Sequence, residues 1–236
     1  MITLYAADTA NSGKIFLALE EMELPYEAVP VDLLRGAQFE PSHLRLNPNA
    51  KIPVIVDEDG PGGRRHVVFE SGAILLYLAE KTAKFLSSDP VERSTAIQWL
   101  MLQMSSVGPM LGQFIHFARF APSDNQYALA RYRAQVLRVV DVLDGQLAQN
   151  SWLGGENYSV ADIATFPWAR ALGGILDVDV EKKYKNIWRW TAQITLRPAS
   201  ERADAAKAAL ASHLIAPEKA SPDALDRLFG RGESSK

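Results

Sequence analysis

The sequence contains no cysteine among its 236 residues. This absence excludes disulfide bonds, cysteine-ligated metal sites and a cysteine nucleophile. It also sets a condition on any thiol chemistry, because the thiol must then be supplied by a ligand. The four histidines lie scattered without the spacing of metal ligands, so we expect no metal site.

Other features that the sequence lacks bear on location and on partners. No apolar run approaches the ~20 residues of a membrane helix, and the first ten residues lack the basic start and apolar core of a secretory signal. The net charge of −3 argues against a concentrated basic surface for nucleic acid or anionic membranes. We therefore expect a cytoplasmic protein that binds neither nucleic acid nor membranes.

The first third of the chain alternates between strand and helix patterns. Short strands are predicted at 2–5 and 27–34, with a helical periodicity between them. Residues 52–56 and 66–69 are apolar or β-branched runs separated by a turn rich in glycine, so they should pair as a hairpin. A further helix should begin at Ser71.

The rest of the chain carries helical periodicities and no convincing strand. Helices are predicted near 96–120, 127–147, 159–171 and 187–195. The fold class is therefore α/β followed by all-α. We place the α/β domain at 1–86, the all-helical domain at 92–212 and a polar tail at 213–236. The tail should be loosely attached, with one short helix and a disordered end.

The loop after the first strand, "ADTANSGK", raises the question of what it binds. A phosphate loop is excluded, because Asp8 stands where that motif needs glycine and Ile15 where it needs serine or threonine. Asn11 or Ser12 should cap the following helix. The Thr9 hydroxyl and the Asn11 amide are neutral donors suited to a thiolate, each contributing ~1.5–3 kcal/mol.

Two further motifs have both a structural and a binding interpretation. In "NAKIPVIV", Pro53 either starts a strand in the ordinary trans form or follows a cis bond that frees the Ile52 backbone for an extended ligand. In "FESGAILLYL", Ser71 either caps a helix or helps its N-terminus to bind a carboxylate. Glu70 could then accept from an ammonium group.

The segment "NYSVADIATFPW" carries a structural signal. Ser159 and Asp162 have the spacing of a capping box. In this motif, each of the two side chains accepts a hydrogen bond from the backbone N–H of the other residue. We expect this box to fix the start of a buried helix in the second domain.

Together these motifs resemble the cytosolic glutathione transferases, over essentially residues 1–210. The resemblance is sharpest with the bacterial Nu class and the yeast-prion-like transferases, through "TANSGKI", "NPNAKIPVIVD", "FESGAILLYLAEKT" and "WLGGENYSVADIATFPW". It implies a thioredoxin-like N-terminal domain with a mixed four-stranded sheet, a cis bond before Pro53, and a homodimer. It also implies glutathione as co-substrate, with no metal.

The resemblance assigns roles to individual positions. Thr9 and Asn11 would contact the glutathione sulfur as the catalytic pair. The glutathione-binding residues would be Gln38, Lys51, Ile52, Pro53, Glu70, Ser71 and Arg131, with Glu70 and Ser71 at the γ-glutamyl end. Many transferase classes use a tyrosine, serine or cysteine near the first strand instead, but we interpret Tyr5 as a packed aromatic side chain.

The implied activity is the reduction of small disulfides by glutathione, since the related classes need no protein cysteine. Conjugation of glutathione to electrophiles, or peroxide reduction, is an alternative that uses the same thiolate. A non-catalytic glutathione-binding regulatory module is a third possibility, because a fold does not fix its function.

Overall fold

The structure, a computed structural model, describes residues 1–215 and 219–231. Contacts divide the chain into two units, one formed by 1–77 with the described residues from 201 onward, the other by 78–200. This division follows contacts, whereas the predicted boundaries at 86, 92 and 212 follow sequence patterns, and those boundaries stay a prediction. Within the described ranges, no helix is both long enough and apolar enough to cross a membrane.

The N-terminal part of the chain forms the predicted alternation of strands and helices. Its elements are β1 (Ile2–Ala6), α1 (Ala10–Met22), β2 (Tyr26–Pro30), α2 (Pro41–Leu44), β3 (Val54–Asp57), β4 (His66–Phe69) and α3 (Ser71–Thr82). Two single 3₁₀ turns lie at Ala37–Phe39 and Pro61–Gly63. The helix that we predicted to begin at Ser71 does so.

The four strands form one mixed sheet in the order β2-β1-β3-β4. Strand β1 is parallel to β2 and antiparallel to β3, and β3 and β4 form the predicted antiparallel hairpin. All four residues of β3 are buried, which explains why Val54, Ile55 and Val56 form a continuous apolar run and do not alternate with polar residues. The thioredoxin-like arrangement that the resemblance implied is confirmed.

The chain then becomes helical, as predicted. The helices are α4 (Pro90–Leu102), α5 (Gly108–Arg119), α6 (Gln126–Gln149), α7 (Val160–Ala169), α8 (Leu172–Leu176), α9 (Val180–Lys183), α10 (Lys185–Thr195), α11 (Pro198–Ala211) and α12 (Pro222–Phe229).

The prediction of one continuous helix over 96–120 is wrong. A π-helical segment, Gln103–Val107, separates α4 from α5, and the Gly108 N–H donates to the Gln103 carbonyl five residues back. Pro109 follows at once, and proline has no N–H for the ordinary bond to the residue four positions earlier. A π segment is one way for a helix to accommodate such an interruption.

The predicted capping box begins α7. Ser159 caps the helix with its side chain, and the Ser159 N–H in turn donates to the Asp162 carboxylate at 2.9 Å. Asp162 is fully buried and also accepts from the Leu153 N–H and the Trp190 indole N–H. Burial raises the pKa of this carboxyl to about 6, and the hydrogen bonds to the carboxylate oppose part of that rise.

The C-terminal segment forms the predicted short helix, α12, and it contacts the chain after β2 at two points. The Ile215 N–H donates to the Asp32 carboxylate at 3.2 Å, and an Arg227 Nη donates to the Arg35 carbonyl at 3.4 Å. These partners lie about 180 or more positions away in the sequence, which is why composition alone did not reveal the attachment. The predicted disordered end falls on 232–236, outside the described residues.

Candidate active site

Helix α1 begins directly after the loop that follows β1, and the two predicted thiolate donors, Thr9 and Asn11, lie at its start. Its N-cap is Thr9, whose hydroxyl oxygen accepts from the Ser12 N–H at 3.2 Å and whose hydroxyl donates to Ser12 Oγ at 3.1 Å. The predicted caps, Asn11 and Ser12, are wrong, because Thr9 is the residue with extended backbone immediately before the first turn. Thr9 therefore holds the helix entrance in place as well as presenting a hydroxyl.

A cavity of about 790 Å³ opens beside this helix entrance, wholly within the first contact unit. Its volume is in the range of small-molecule sites. Five of the predicted site residues line it: Thr9, Asn11, Gln38, Lys51 and Ile52. The other lining residues are Leu33, Phe39, Asn49, Ala50, Arg227, Leu228, Phe229 and Gly230. The cavity thus combines neutral donors and cationic side chains with an apolar surface.

The backbone before β3 is held by two buried side chains that the sequence did not single out. His43 Nε2 lies 3.0 Å from the Lys51 carbonyl, and Asn47 Nδ2 donates to the same oxygen at 2.9 Å. The Ile52–Pro53 bond is cis, as the resemblance implied. His43 and Asn47 therefore hold the backbone at Lys51 and Ile52 in place. None of the short sequence motifs indicated these two contacts.

Gln38 is a buried polar residue at the cavity wall. Its Nε2 donates to the Leu33 carbonyl at 3.3 Å. Its Oε1 has no hydrogen-bond partner within the residues that the structure describes, and a buried acceptor without a partner costs free energy. A ligand that donates a hydrogen bond at this point would remove that cost.

Glu70 and Ser71 stand at the start of α3, although neither is among the residues lining the cavity. Glu70 is exposed and adopts a left-handed backbone conformation with φ 70. Ser71 is buried and accepts from Lys14 Nζ at 3.3 Å. The structure thus places the ammonium group of Lys14 beside a predicted site residue.

The remaining predicted residues have simpler surroundings. Tyr5 lies within β1, opposite Val29 and Val54, and its ring meets His43 edge-on at 6.4 Å. These contacts agree with the packed-aromatic interpretation. Arg131 is an exposed residue of α6 in the second contact unit, and its role stays a prediction. In the described part of the chain, no group of three or more histidine, aspartate or glutamate residues could hold a metal ion.

Family models match both halves of the chain. The model for the glutathione S-transferase N-terminal domain matches 10–81, and the model for the C-terminal domain matches 107–198. The chain belongs to the glutathione S-transferase family. Both matches end before α12 begins, so the C-terminal wall of the cavity lies outside them.

Named proteins and solved structures that are similar to this chain support the family assignment. The chain is 49% identical over 205 residues to the disulfide-bond oxidoreductase YfcG of Escherichia coli K12, covering 86% of this chain and 94% of that protein. A glutathione transferase structure from Pseudomonas putida with one glutathione disulfide bound per subunit is 41% identical, with a TM-score of 0.81 and coverage of 86% and 90%. Another, from Burkholderia graminis with two glutathione molecules bound per subunit, is 40% identical, with a TM-score of 0.81 and coverage of 86% of both chains.

Proposed function

We propose that this transferase reduces small disulfides with glutathione, which binds in the cavity beside α1. The observation that carries the proposal is the convergence of Thr9, Asn11, Gln38, Lys51 and Ile52 on one cavity of about 790 Å³. The relatives named for disulfide-bond oxidoreductase activity or containing bound glutathione support the same assignment. Because the chain has no cysteine, the nucleophilic sulfur must come from glutathione.

The reaction consists of two thiol–disulfide exchanges. The bound glutathione thiol releases its proton to solvent, and the thiolate attacks one sulfur of the substrate disulfide. A new sulfur–sulfur bond forms, the old one breaks, and the substrate's other half leaves as a thiolate that takes a proton from water. A second glutathione thiolate then attacks the mixed disulfide, releasing the other half. Two glutathiones are oxidised to one glutathione disulfide, and one substrate disulfide is reduced to two thiols.

Thr9 and Asn11 act on the first step by stabilising the thiolate. Hydrogen bonds from the Thr9 hydroxyl and the Asn11 amide favour the charged form and lower the thiol pKa. To reach the sulfur, the Thr9 hydroxyl hydrogen turns away from Ser12 Oγ, while its oxygen continues to cap α1. The helix entrance therefore remains formed when the sulfur is bound.

The rest of the glutathione molecule is held by the other predicted residues. Gln38, Lys51 and the Ile52 backbone, with cis Pro53 next to it, bind the extended peptide. The Ser71 hydroxyl and the N-terminus of α3 bind the γ-glutamyl carboxylate, and Glu70 accepts from its ammonium group. We include Arg131 as a further glutathione-binding residue on the strength of the family resemblance.

The decisive test compares Thr9→Ala, Thr9→Ser and Asn11→Ala. Losing one charge-assisted donor worth ~1.5–3 kcal/mol should lower the rate with a small disulfide about 10- to 150-fold. In the two alanine variants the thiol pKa of bound glutathione should be higher than in wild type. The ultraviolet absorbance of the thiolate should therefore appear at a higher pH. Thr9→Ser keeps both the cap and the hydroxyl, so it serves as the matched control and should stay close to wild type. Full activity in both alanine variants would show that this assignment is wrong.

The substrate panel separates the competing functions. We expect turnover of 2-hydroxyethyl disulfide with glutathione to exceed turnover of 1-chloro-2,4-dinitrobenzene or of a peroxide. The reverse order would favour conjugation or peroxide reduction. Glutathione binding without turnover of any of them would favour a regulatory module.

We also propose that the enzyme works as a homodimer in the cytoplasm, as the family resemblance implies. The lack of cysteine suits a compartment in which thiols stay reduced and disulfides are not needed for stability. Light scattering on the purified full chain should give about twice the monomer mass of 26.0 kDa. Fractionation of cells should recover the protein with cytoplasmic markers.

A further inference from the structure

The end of the chain forms part of the candidate active site. Four consecutive residues, Arg227 to Gly230, line the same cavity as Thr9 and Asn11. They comprise the last turn of α12 and the glycine that ends it. Because the family-model match ends at residue 198, this wall is an addition to the part of the chain that the family model describes.

Helix α12 has its own start and stop signals. Ser221 caps it by accepting from the Ala224 N–H at 3.2 Å, Pro222 occupies the first turn, and Gly230 ends it in the left-handed conformation with φ 62. The Arg231 N–H donates to the Asp226 carbonyl at 2.8 Å, and the side chains of these two residues form an ion pair at 2.9 Å. The end of this helix is therefore a defined structure.

Arg227 is positioned by the loop that follows β2. Its Nη1 donates to the Arg35 carbonyl at 3.4 Å. A Cβ atom on Gly36 would come within 3.3 Å of both Cδ and Nη1 of Arg227, and Gly36 has φ +80. Glycine at this position thus permits the close approach of the arginine side chain. One carbonyl contact uses one of five guanidinium N–H groups, and Arg227 is exposed, so a ligand in the cavity has access to it.

The charges that line the cavity have one sign. Lys51 and Arg227 are cationic, and the described lining residues include no aspartate or glutamate. The proposed function assigns Lys51 to glutathione, together with Thr9, Asn11, Gln38 and Ile52. Arg227 is the remaining cation, and Leu228 and Phe229 beside it add apolar surface. This second wall has the composition expected of a site for a disulfide that carries a carboxylate.

We propose that Arg227 is a specificity-determining residue that binds a carboxylate of the disulfide substrate, so that the enzyme prefers anionic disulfides to neutral or cationic ones. The preferred class includes mixed disulfides and symmetric disulfides of carboxylate-bearing thiols. This inference rests on the proposed disulfide reductase function and names the substrate class for it.

Three small disulfides of similar size and different charge test the inference. They are the dianion 3,3′-dithiodipropionate, the neutral 2-hydroxyethyl disulfide and the dication cystamine, each assayed at saturating glutathione. Wild-type kcat/KM should fall in that order. Arg227→Gln should lower kcat/KM for the dianion about 10-fold or more, mainly through KM, and should leave the neutral substrate within about 2-fold. Arg227→Glu should reverse the order of dianion and dication.

A matched control comes from the same segment. Lys219→Gln also removes one cation, from an exposed position just before α12, but Lys219 does not line the cavity, so the wild-type substrate order should persist. The KM for glutathione should not change in Arg227→Gln, since a rise would assign Arg227 to glutathione instead.

The two possible failures are distinguishable. If wild type reduces none of the three disulfides with glutathione, the proposed function itself is wrong. If wild type reduces the dianion, and Arg227→Gln either leaves kcat/KM for all three substrates unchanged or lowers it equally for all three, the function stands and the role of Arg227 is overturned.

Discussion

Replacing Lys14 by methionine should change how the stability of this protein depends on pH. Lys14 lies in α1 with 2% of its surface exposed, and its Nζ is 3.3 Å from Ser71 Oγ. Burial lowers the pKa of this ammonium group from 10.5 to about 7, and the nearby Glu70 carboxylate offsets part of that effect. The folded chain therefore releases a proton that the unfolded chain keeps.

The direction of the effect follows from proton linkage. Between about pH 7 and pH 10.5 the unfolded state binds more protons than the folded state, so the free energy of unfolding rises with pH in that window. At ~1.4 kcal/mol per pKa unit, the whole window corresponds to about 5 kcal/mol. Raising the pH from 7 to 9 accounts for about 2 kcal/mol of it, because Lys14 is still half protonated near pH 7 and carries almost no proton at pH 9.

Urea unfolding at pH 7 and pH 9 measures this contribution. For each protein the free energy of unfolding is extrapolated to water, and the gain from pH 7 to pH 9 is then compared. Lys14→Met removes the titrating group and keeps a side chain of similar length. We expect the gain to be about 2 kcal/mol larger in wild type than in Lys14→Met. Comparing gains cancels groups that titrate equally in both proteins.

The matched control is Lys185→Met, which removes an exposed lysine at the start of α10. Its gain from pH 7 to pH 9 should equal that of wild type. If Lys14→Met also gains as much stability as wild type over this range, Lys14 does not titrate there, and the reasoning from its burial is refuted.

Three further predictions concern the scaffold, and all are checked by the same unfolding measurement at pH 7. Ser159→Ala should lower the free energy of unfolding by ~1 kcal/mol, because it removes the cap of α7; an unchanged value would mean that water replaces the hydroxyl without cost. Gly60→Ala should destabilise by about 1–3 kcal/mol, since a Cβ there would lie 2.6 Å from the Arg64 carbonyl oxygen. Gly145→Ala, at an exposed position of α6 where nothing outside the helix's own backbone comes within 4 Å of the new Cβ, should instead stabilise by about 0.5–1 kcal/mol, and equal effects of the two alanines would contradict the steric argument.

The elements that could be predicted from sequence are those whose determinants are close together in the chain. The β3–β4 hairpin is encoded by two apolar runs around a glycine-rich turn, and the α7 capping box by Ser159 and Asp162, three positions apart. The interruption at Gln103–Val107 was missed although Pro109 lies beside it. A proline near a helical pattern does not reveal whether the helix stops, bends or widens.

The candidate site likewise contains residues that could be predicted from the sequence and residues that could not. The residue types that suit glutathione, Thr9, Asn11, Gln38, Lys51 and Ile52, could be named from short motifs and the family they resemble. Their convergence on one cavity depends on the observed strand order, because β1 and β3 are antiparallel neighbours and the end of β1 therefore lies beside the start of β3. The supports behind them were not predictable, because His43 and Asn47 reach the Lys51 carbonyl through the path of an irregular loop.

By itself, then, the sequence determined the two-part fold, the lack of a protein thiol and most of the groups proposed to hold glutathione. Only the tertiary structure decided that Lys14 is buried against Ser71, 57 positions away, and that Arg227 lies against Arg35, 192 positions away. The physical reason is that burial and charge environment depend on which distant segments pack together. The pKa of Lys14 and the ligand proposed for Arg227 both depend on these distant neighbours.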